Sequence, residues 1–519
     1  MKKAIYLIIA LIGLSAPSCS DSMLDFSPTD SGSGKELLKS ASTAITSVNG
    51  VYRSMWTAGW STTANTHQCF GIAAYNLALD CMADDLIMQS QGNGWFWGDH
   101  CYNVKSNYTS SAFRSYDVWY ANYKWIANVN YIIDAEPEMA GTEADVAYVA
   151  GQAYAIRALC YLNLATWFSR APYNSLTGAS RWNEPCVPVY TTGTSIDTGG
   201  QPRESLRTVY GRIDQAIDRS IELLEKARET TLAENNKSHI NLYVALGIKS
   251  RACLAEGDWD GAFKAAKRVI DEGGYAVGTK SDLTGGMNSL DKQNVMWGAG
   301  IQVADQAGGY AGFFTHMDNK EGAYAKSAPK LISKQLYNRI SATDIRRDWW
   351  DPSDKESPYV SKKFSFANVA SFLGDYIYMR VEEMYFTAAE AALRLDDLKS
   401  ARELMNTVMA ERDPGYSANN RSGTLLGATT TTWTGSFLEN ILTHRRIELW
   451  GEYGRLFDVR RLGQGIDRRT DDGFSEECIS MMNLRNVNIT KADTYDWVLT
   501  IPKAELDANP NINEEDQNP

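Results

Sequence analysis

The chain has 519 residues, 44% of them apolar and 22% charged, with 14 prolines and 40 glycines. These are the proportions of an ordinary globular body, and they exclude a disordered, collagenous or coiled-coil chain. The formal charge is −12 with the basic residues scattered, so the basic footprint that nucleic-acid binding needs is missing.

At the N-terminus, Lys2 and Lys3 precede the apolar run Ala4–Leu14, which is followed by Ser15-Ala16-Pro17-Ser18-Cys19. A basic start, a short apolar stretch and small residues before a boundary describe a secretory signal peptide. As a helix that run would reach about 16 Å, half of the roughly 30 Å hydrocarbon core of a bilayer. Small residues ending at Cys19 resemble a lipobox, with Ala16 where Leu is usual. Residues 1–18 are therefore expected to be removed and Cys19 to be lipidated. Residues 19–35 would form a tether through the Ser-, Gly- and Pro-rich stretch Phe26–Gly34, held by acyl chains. The remaining cysteines are odd in number, and none lies at CxxC spacing. Most of them are read as buried small hydrophobes.

Beyond the tether, 3.6-residue periodicity predicts helices over about 36–56, 115–135, 144–169, 206–228 and 437–462. Two further stretches match each other at an offset of 139. Ala252-Cys253-Leu254, Asp258-Trp259, Ala262 and Val269 fall on Ala391-Ala392-Leu393, Asp397-Leu398, Ala401 and Val408. Each reads as a helix, a short turn with Asp, and a second helix with a small residue at the crossing, the logic of a tetratricopeptide repeat. Pro414 follows the second copy. Irregular stretches at 57–114, 170–204, 274–378 and 412–436 are too long to be ordinary connections. The expected fold is mostly α: a tetratricopeptide-like superhelical body with long loop insertions and little strand. A single domain is expected over 36–519, with its scaffold at about 36–273 and 379–462. A loop-rich insertion occupies about 274–378, and a C-terminal extension covers 463–519.

No HExxH, GxSxG, EF-hand or complete phosphate-loop motif occurs, and His67, His100, His239, His316 and His444 are isolated. Neither a metal, a cofactor nor an enzyme activity is expected. Asp84-Asp85 is the candidate for half of a glycosidase carboxylate pair. Fifteen Trp and 27 Tyr stand against 5 His, a balance that favours binding through aromatic faces. The loop Gln91–His100 carries Trp95 and Trp97 between glycines, beside Asn93 and Asp99. Indoles there would stack on the C–H face of a sugar ring, with Asn93 and Asp99 bonding its hydroxyls; the alternative is that they pack the loop onto the helices. A second glycine-framed loop, Gly308–Phe314, contains Tyr310 and Phe314 and follows Trp297. Trp349-Trp350 is read as core, and Trp119, Trp125, Trp167, Trp259 and Trp450 as helix packing.

Four separated segments together resemble the SusD/RagB family. They are the lipoprotein start with Leu24-Asp25 and Pro28, and the helix Ala153–Leu164 running to Trp167-Phe168 and Pro172. The third is Arg445-Arg446-Ile447-Glu448-Leu449 with Glu452, Arg455 and Asp458. The fourth is the end, Ile501-Pro502-Lys503-Ala504-Glu505 with Asn509-Pro510 and Gln517-Asn518-Pro519. His444, Tyr453 and Ser169 depart from the family pattern at structural positions. The third segment also offers opposite charges at helical i,i+3 spacing: Arg445–Glu448, Glu452–Arg455 and Arg455–Asp458. These are read as an ion-pair network fixing helix ends. The resemblance implies a lipid-anchored protein of the outer membrane, facing outward, that captures an oligosaccharide. It would pair as a lid with a SusC-like TonB-dependent transporter. In the family, ligand contacts come from loops in roughly the two aromatic regions. The expected ligand residues are therefore Trp95, Trp97, Tyr310, Asn93, Asp99, Trp297 and Phe314. A peptide-binding member of the same family and a surface glycosidase are the alternatives.

Overall fold

The structure, a computed structural model, describes residues 34–103, 113–195, 197–233, 237–302, 311–492 and 494–519. Its scaffold is a run of helices: α1 (Ala41–Ser54), α2 (Ile72–Met82), α3 (Phe113–Ala135), α4 (Glu143–Phe168), α5 (Leu206–Lys226), α6 (Leu242–Glu256) and α7 (Trp259–Glu272). The run continues with α8 (Val381–Arg394), α9 (Leu398–Ala410), α10 (Phe437–Glu448) and α11 (Arg455–Leu462). From α3 to α9 each helix packs on the next, and α8 also packs on α10. The contact between α7 and α8 closes the scaffold across the insertion, so residues 274–378 leave the helical stack and return to it.

α4 lies deepest. It is apolar on nearly every side, as expected of a helix with neighbours all round, and α1, α3 and α5 surround it. Thr142 caps its start by accepting the Asp145 N–H at 3.1 Å. Gly151 sets how close α5 comes, because a Cβ there would lie 2.9 Å from Leu224. Ser220 uses that approach to donate to the Gly151 carbonyl at 2.7 Å.

The 139-residue repeat holds at the level of individual hydrogen bonds. α6–α7 and α8–α9 both end their first helix in a left-handed residue, Gly257 at φ 76° and Asp396 at φ 61°. The next residue donates its N–H back over the helix end, Asp258 to Cys253 and Asp397 to Ala392, each at 2.9 Å. Its carboxylate then caps the second helix, Asp258 to the Gly261 N–H and Asp397 to the Ser400 N–H, each at 3.0 Å. Glycine adopts the left-handed region without steric cost, whereas aspartate is strained there. Asp396 is exposed, so Asp396→Gly is expected to stabilise the protein by about 0.5 kcal/mol, read as a higher urea midpoint at unchanged slope.

The periodic segment 437–462 is two helices. α10 stops at Glu448, and the link carries Gly451 at φ 75° and Gly454 at φ 20°. At Gly451 a Cβ would sit 2.7 Å from the Phe364 ring, so glycine there lets the insertion pack on the helix ends. Glu452 falls in this link, and longer-range bonds take the place of the three expected i,i+3 pairs. Arg445 instead bonds Asp458 at 2.8 Å, Glu452 bonds Arg380 at 2.6 Å, and Arg455 bonds Asp84 at 3.1 Å. Glu448 receives Arg346, Arg380 and Arg412. Burial alone would push Glu448 up, but the three guanidiniums hold it well below the usual carboxylate range.

Among the described residues there are six short strands, the first in the segment after α2 and the others in the insertion and its return to the scaffold. β1 (Leu86–Met88), β3 (Lys330–Ile332), β5 (Val360–Ser361) and β4 (Trp350–Asp351) form one antiparallel sheet in that order. β2 (Val295–Ala299) pairs with β6 (Tyr376–Arg380). In the first sheet Leu86 faces Ile332 and Met88 faces Lys330. The segment after β1 and the segment before β3 therefore emerge from the same end of the sheet.

The C-terminal extension runs back along the scaffold. Asn518 donates to the Phe168 and Leu499 carbonyls at 2.8 Å, and Asn509 donates to the Gln201 carbonyl at 2.9 Å. Among the described residues no helix is long and apolar enough to cross a membrane.

Candidate functional site

The strand pairing just described brings together an aromatic face. After β1 the chain turns at Gly92 (φ 51°) and Gly94 (φ 88°). A Cβ at Gly92 would lie 2.6 Å from the Ser327 carbonyl, so only glycine allows this loop to rest on the segment before β3. Trp95 follows, half-buried, with its ring stacked on His67 at 4.9 Å and 24° and edge-on to Tyr324 at 6.1 Å. His67 Nδ1 and the Tyr324 hydroxyl share a hydrogen bond at 2.5 Å, and His316 Nε2 donates to the His67 carbonyl at 2.6 Å. Burial and the nearby Lys330 keep His316 neutral, its pKa well below the usual imidazole range, which fits a ring donating one fixed N–H. Asn93 is exposed at the tip of the same loop.

Beneath this face sits a buried charge cluster that fixes the loop. Arg114 donates to both oxygens of Asp99, at 3.0 and 3.1 Å, to Asp117 at 3.0 Å and to the Gln68 carbonyl at 2.9 Å. Gln68 in turn accepts the Phe96 N–H at 2.8 Å. Burial works against the Arg114 charge, but Asp99 and Asp117 outweigh it and raise the guanidinium pKa. Burial pushes the Asp117 carboxyl up, with Arg114 opposing it.

These contacts correct several expectations. Asp99 faces Arg114 with no exposed surface, so it positions the loop and does not reach a ligand. Trp97 is 3% exposed because Phe96 takes a left-handed backbone (φ 60°), turning the chain inward into the short helix Trp97–His100. The two indoles therefore do not share a face. Trp297 lies inside the β2–β6 pair, donating its N–H to the Ser238 carbonyl at 3.2 Å and meeting Tyr378 edge-on. Phe314 is buried among Phe313, Phe366 and Tyr376. Asp84 and Asp85 are held by Arg446 and Arg455 at 2.6–3.1 Å. Burial opposes the Asp84 charge, yet the arginines pull it down to about 2, so it holds no proton to give as a general acid. Tyr310 and Cys19 lie outside the described residues. Trp349 and Trp350 are buried, as their reading as core requires. Sequence reasoning missed Tyr324, which reaches Trp95 through the β1–β3 register, and His67, which reaches it from the segment Thr63–Gln68 before α2.

A second concave surface lies elsewhere. A groove of about 500 Å³ opens between the outer face of α3, a wall at Tyr190, Thr194, Ser195 and Thr198, and the C-terminal residues Pro502, Ala504 and Glu505. Trp119, expected to be packing only, lines it and donates its N–H to Glu505 at 3.2 Å. Among the described residues no cluster of three or more His, Cys, Asp or Glu side chains is arranged to hold a metal ion.

Two family models match the chain. The SusD family model matches residues 326–519, and a model described as "Starch-binding associating with outer membrane" matches residues 43–254. No curated protein matches. Among solved structures, a SusD-like carbohydrate binding protein from Bacteroides vulgatus ATCC 8482 aligns at a TM-score of 0.72 and 24% identity, over 92% of this chain and 98% of that one. A SusD superfamily protein from Bacteroides thetaiotaomicron VPI-5482 aligns at 0.73 and 21%, over 92% and 100%. Surface glycan-binding protein A from Bacteroides thetaiotaomicron, in complex with laminarihexaose, aligns at 0.63 and 16%, over 91% and 98%.

Proposed function

The chain belongs to the SusD family, and from that premise we propose that it captures an oligosaccharide at the Trp95 face. It would then deliver the ligand, as a lid, to a SusC-like TonB-dependent transporter. Carbohydrate binding is the family's property; the site, the delivery step, and the anchoring of the chain in the outer membrane through Cys19 are the parts proposed.

The observation that carries the reading is the half-buried Trp95 ring held against His67 and Tyr324, with Asn93 exposed beside it. A flat apolar floor with a few polar groups around it suits the C–H face and hydroxyls of a sugar. Preorganisation adds to it. The ring stack, the Gly92 contact and the Arg114 cluster hold the indole before any ligand arrives, so little ordering entropy remains to be lost on binding. The glycosidase alternative loses its support in the two aspartates, both of which are committed to arginine.

The test is migration through native gels containing a panel of glycans, followed by calorimetry on the glycan that retards the protein most. Trp95→Ala is expected to weaken binding about tenfold or more, which corresponds to about 1.4 kcal/mol, in a protein that stays folded at the assay temperature with a somewhat lower melting temperature from the lost stack on His67. Wild-type retardation in that variant would sink the assignment of the site. Retardation by no glycan, together with peptides co-purifying from native membranes, would favour the peptide-binding alternative.

A further inference from the structure

The α3 groove is not accounted for by the Trp95 face. α3 carries two apolar faces: one, with Val118, Ala121, Trp125 and Val129, is core. The other, at Tyr116, Trp119, Tyr120 and Tyr123, follows i, i+3, i+4, i+7 spacing and lines the groove. Tyr116 is 37% exposed. Its ring lies parallel to that of Tyr120, at 5.5 Å and 15°, while Trp119 and Tyr123 sit 4.9 Å apart. Within this stripe Trp119 is buried and Tyr120 and Tyr123 are half-buried, so Tyr116 is its exposed end.

We propose that this groove is a second carbohydrate subsite, taking pyranose units of an oligosaccharide longer than the Trp95 face can cover. The inference rests on the carbohydrate reading above. Its volume, about 500 Å³, falls within the roughly 300–1,000 Å³ of small-molecule sites. The polar groups at its edge match hydroxyls. Glu505 accepts Trp119 on one oxygen and Asn509 on the other, at 3.2 and 2.7 Å, and a carboxylate keeps further lone pairs beyond two such bonds. The hydroxyls of Tyr116 and Tyr120 and the ammonium of Lys124 make no hydrogen bond within the described residues. A peptide laid in the groove would find no strand edge there, because the α3 backbone is paired within its own helix. The groove is also joined to the Trp95 face. Trp60 lies 6.3 Å from Tyr120, Ser61 donates to Asp117, and the same segment ends at His67 under Trp95. A glycan spanning both surfaces would follow residues 60–67.

Calorimetry separates the two sites, using hexasaccharides and disaccharides from the glycan panel with wild type, Trp95→Ala, Tyr116→Ala/Tyr120→Ala and the combined variant. The tyrosine pair is expected to cost the hexasaccharide tenfold or more while leaving disaccharide affinity at the Trp95 face unchanged. Trp95→Ala should retain weak saturable binding that the combined variant loses. Tyr116→Phe/Tyr120→Phe, which keeps the rings, should lie between wild type and the alanine pair. Full hexasaccharide affinity in the tyrosine pair overturns the second subsite and leaves the Trp95 reading standing. Loss of transporter co-purification at unchanged glycan affinity also overturns it, in favour of a protein partner. If no saccharide binds wild type, both readings fall.

Discussion

Replacing Glu448 with glutamine is expected to cost about 3–5 kcal/mol of stability, the usual penalty for removing one partner of a buried ion pair. Glu448 is fully buried and lies within 2.9–3.1 Å of Arg346, Arg380 and Arg412. Those arginines also bond Asp344, Glu382 and Glu452, and Lys363 joins Glu452 at 2.6 Å. Four cations thus face four carboxylates, and the cluster is neutral as a whole. The glutamine variant leaves one cation uncompensated in a dry interior and turns an amide donor toward guanidinium donors. The pH dependence identifies the cause. Because the Glu448 pKa is depressed in the fold, its contribution is present above the ordinary glutamate value of about 4.3 and is lost as pH falls toward its folded value. The difference between wild type and Glu448→Gln should stay constant from pH 8 to 6 and shrink below about pH 4. Urea unfolding across that range is the measurement; a difference that does not vary at acid pH would mean the loss is one of packing.

The same cluster shows why some features can be read along the chain and others cannot. Local rules of periodicity, Asp caps and small crossing residues located most of the scaffold helices but not α2, which lies in the stretch 57–114 read as irregular, and the 139-residue offset between Gly257 and Asp396 survives in matching backbone bonds. Charges three residues apart in Arg445–Asp458 suggested local pairs, but Arg445 reaches past the break at Gly451 and Gly454 to Asp458 on α11, Glu452 pairs with Arg380 at the end of β6, and Arg455 pairs with Asp84. Those two glycines were the available signal for the break. Trp97 and Asp99 looked like ligand residues for a similar reason. Burial is decided by Arg114, which closes over Asp99 from α3, and no local pattern encodes that contact. The pairing of Leu86 with Ile332, which brings Tyr324 to Trp95, rests on two three-residue strands, too short for a pattern of alternation to reveal.

Arg114→Met is expected to disable the site and weaken the fold together. One guanidinium makes four hydrogen bonds that join three separate pieces of chain: α3 through Asp117, the Phe96–Asp99 turn through Asp99, and the segment ending at Gln68. Methionine fills a similar volume but leaves two buried carboxylates without a cation, a change worth about 3–5 kcal/mol. Asp117 would keep Ser61, Tyr75 and the Cys69 thiol as donors, and its buried carboxyl, already pushed up by burial, would be driven further toward binding a proton. Folding of the variant should therefore improve as pH is lowered from 8 to 5, opposite in sign to the acid loss expected at Glu448. Freed of Arg114, the Gln68–Phe96 bond no longer has a fixed base, so the Trp95 ring loses its seat on His67 and glycan affinity falls even where the variant is folded. Arg114→Lys restores the charge but not the two-pronged bond to Asp99, and should recover stability more than binding. Asp99→Asn separates the roles further: if Asp99 only positions the loop, binding and stability decline in step. A selective loss of affinity at unchanged stability would return Asp99 to the ligand's reach.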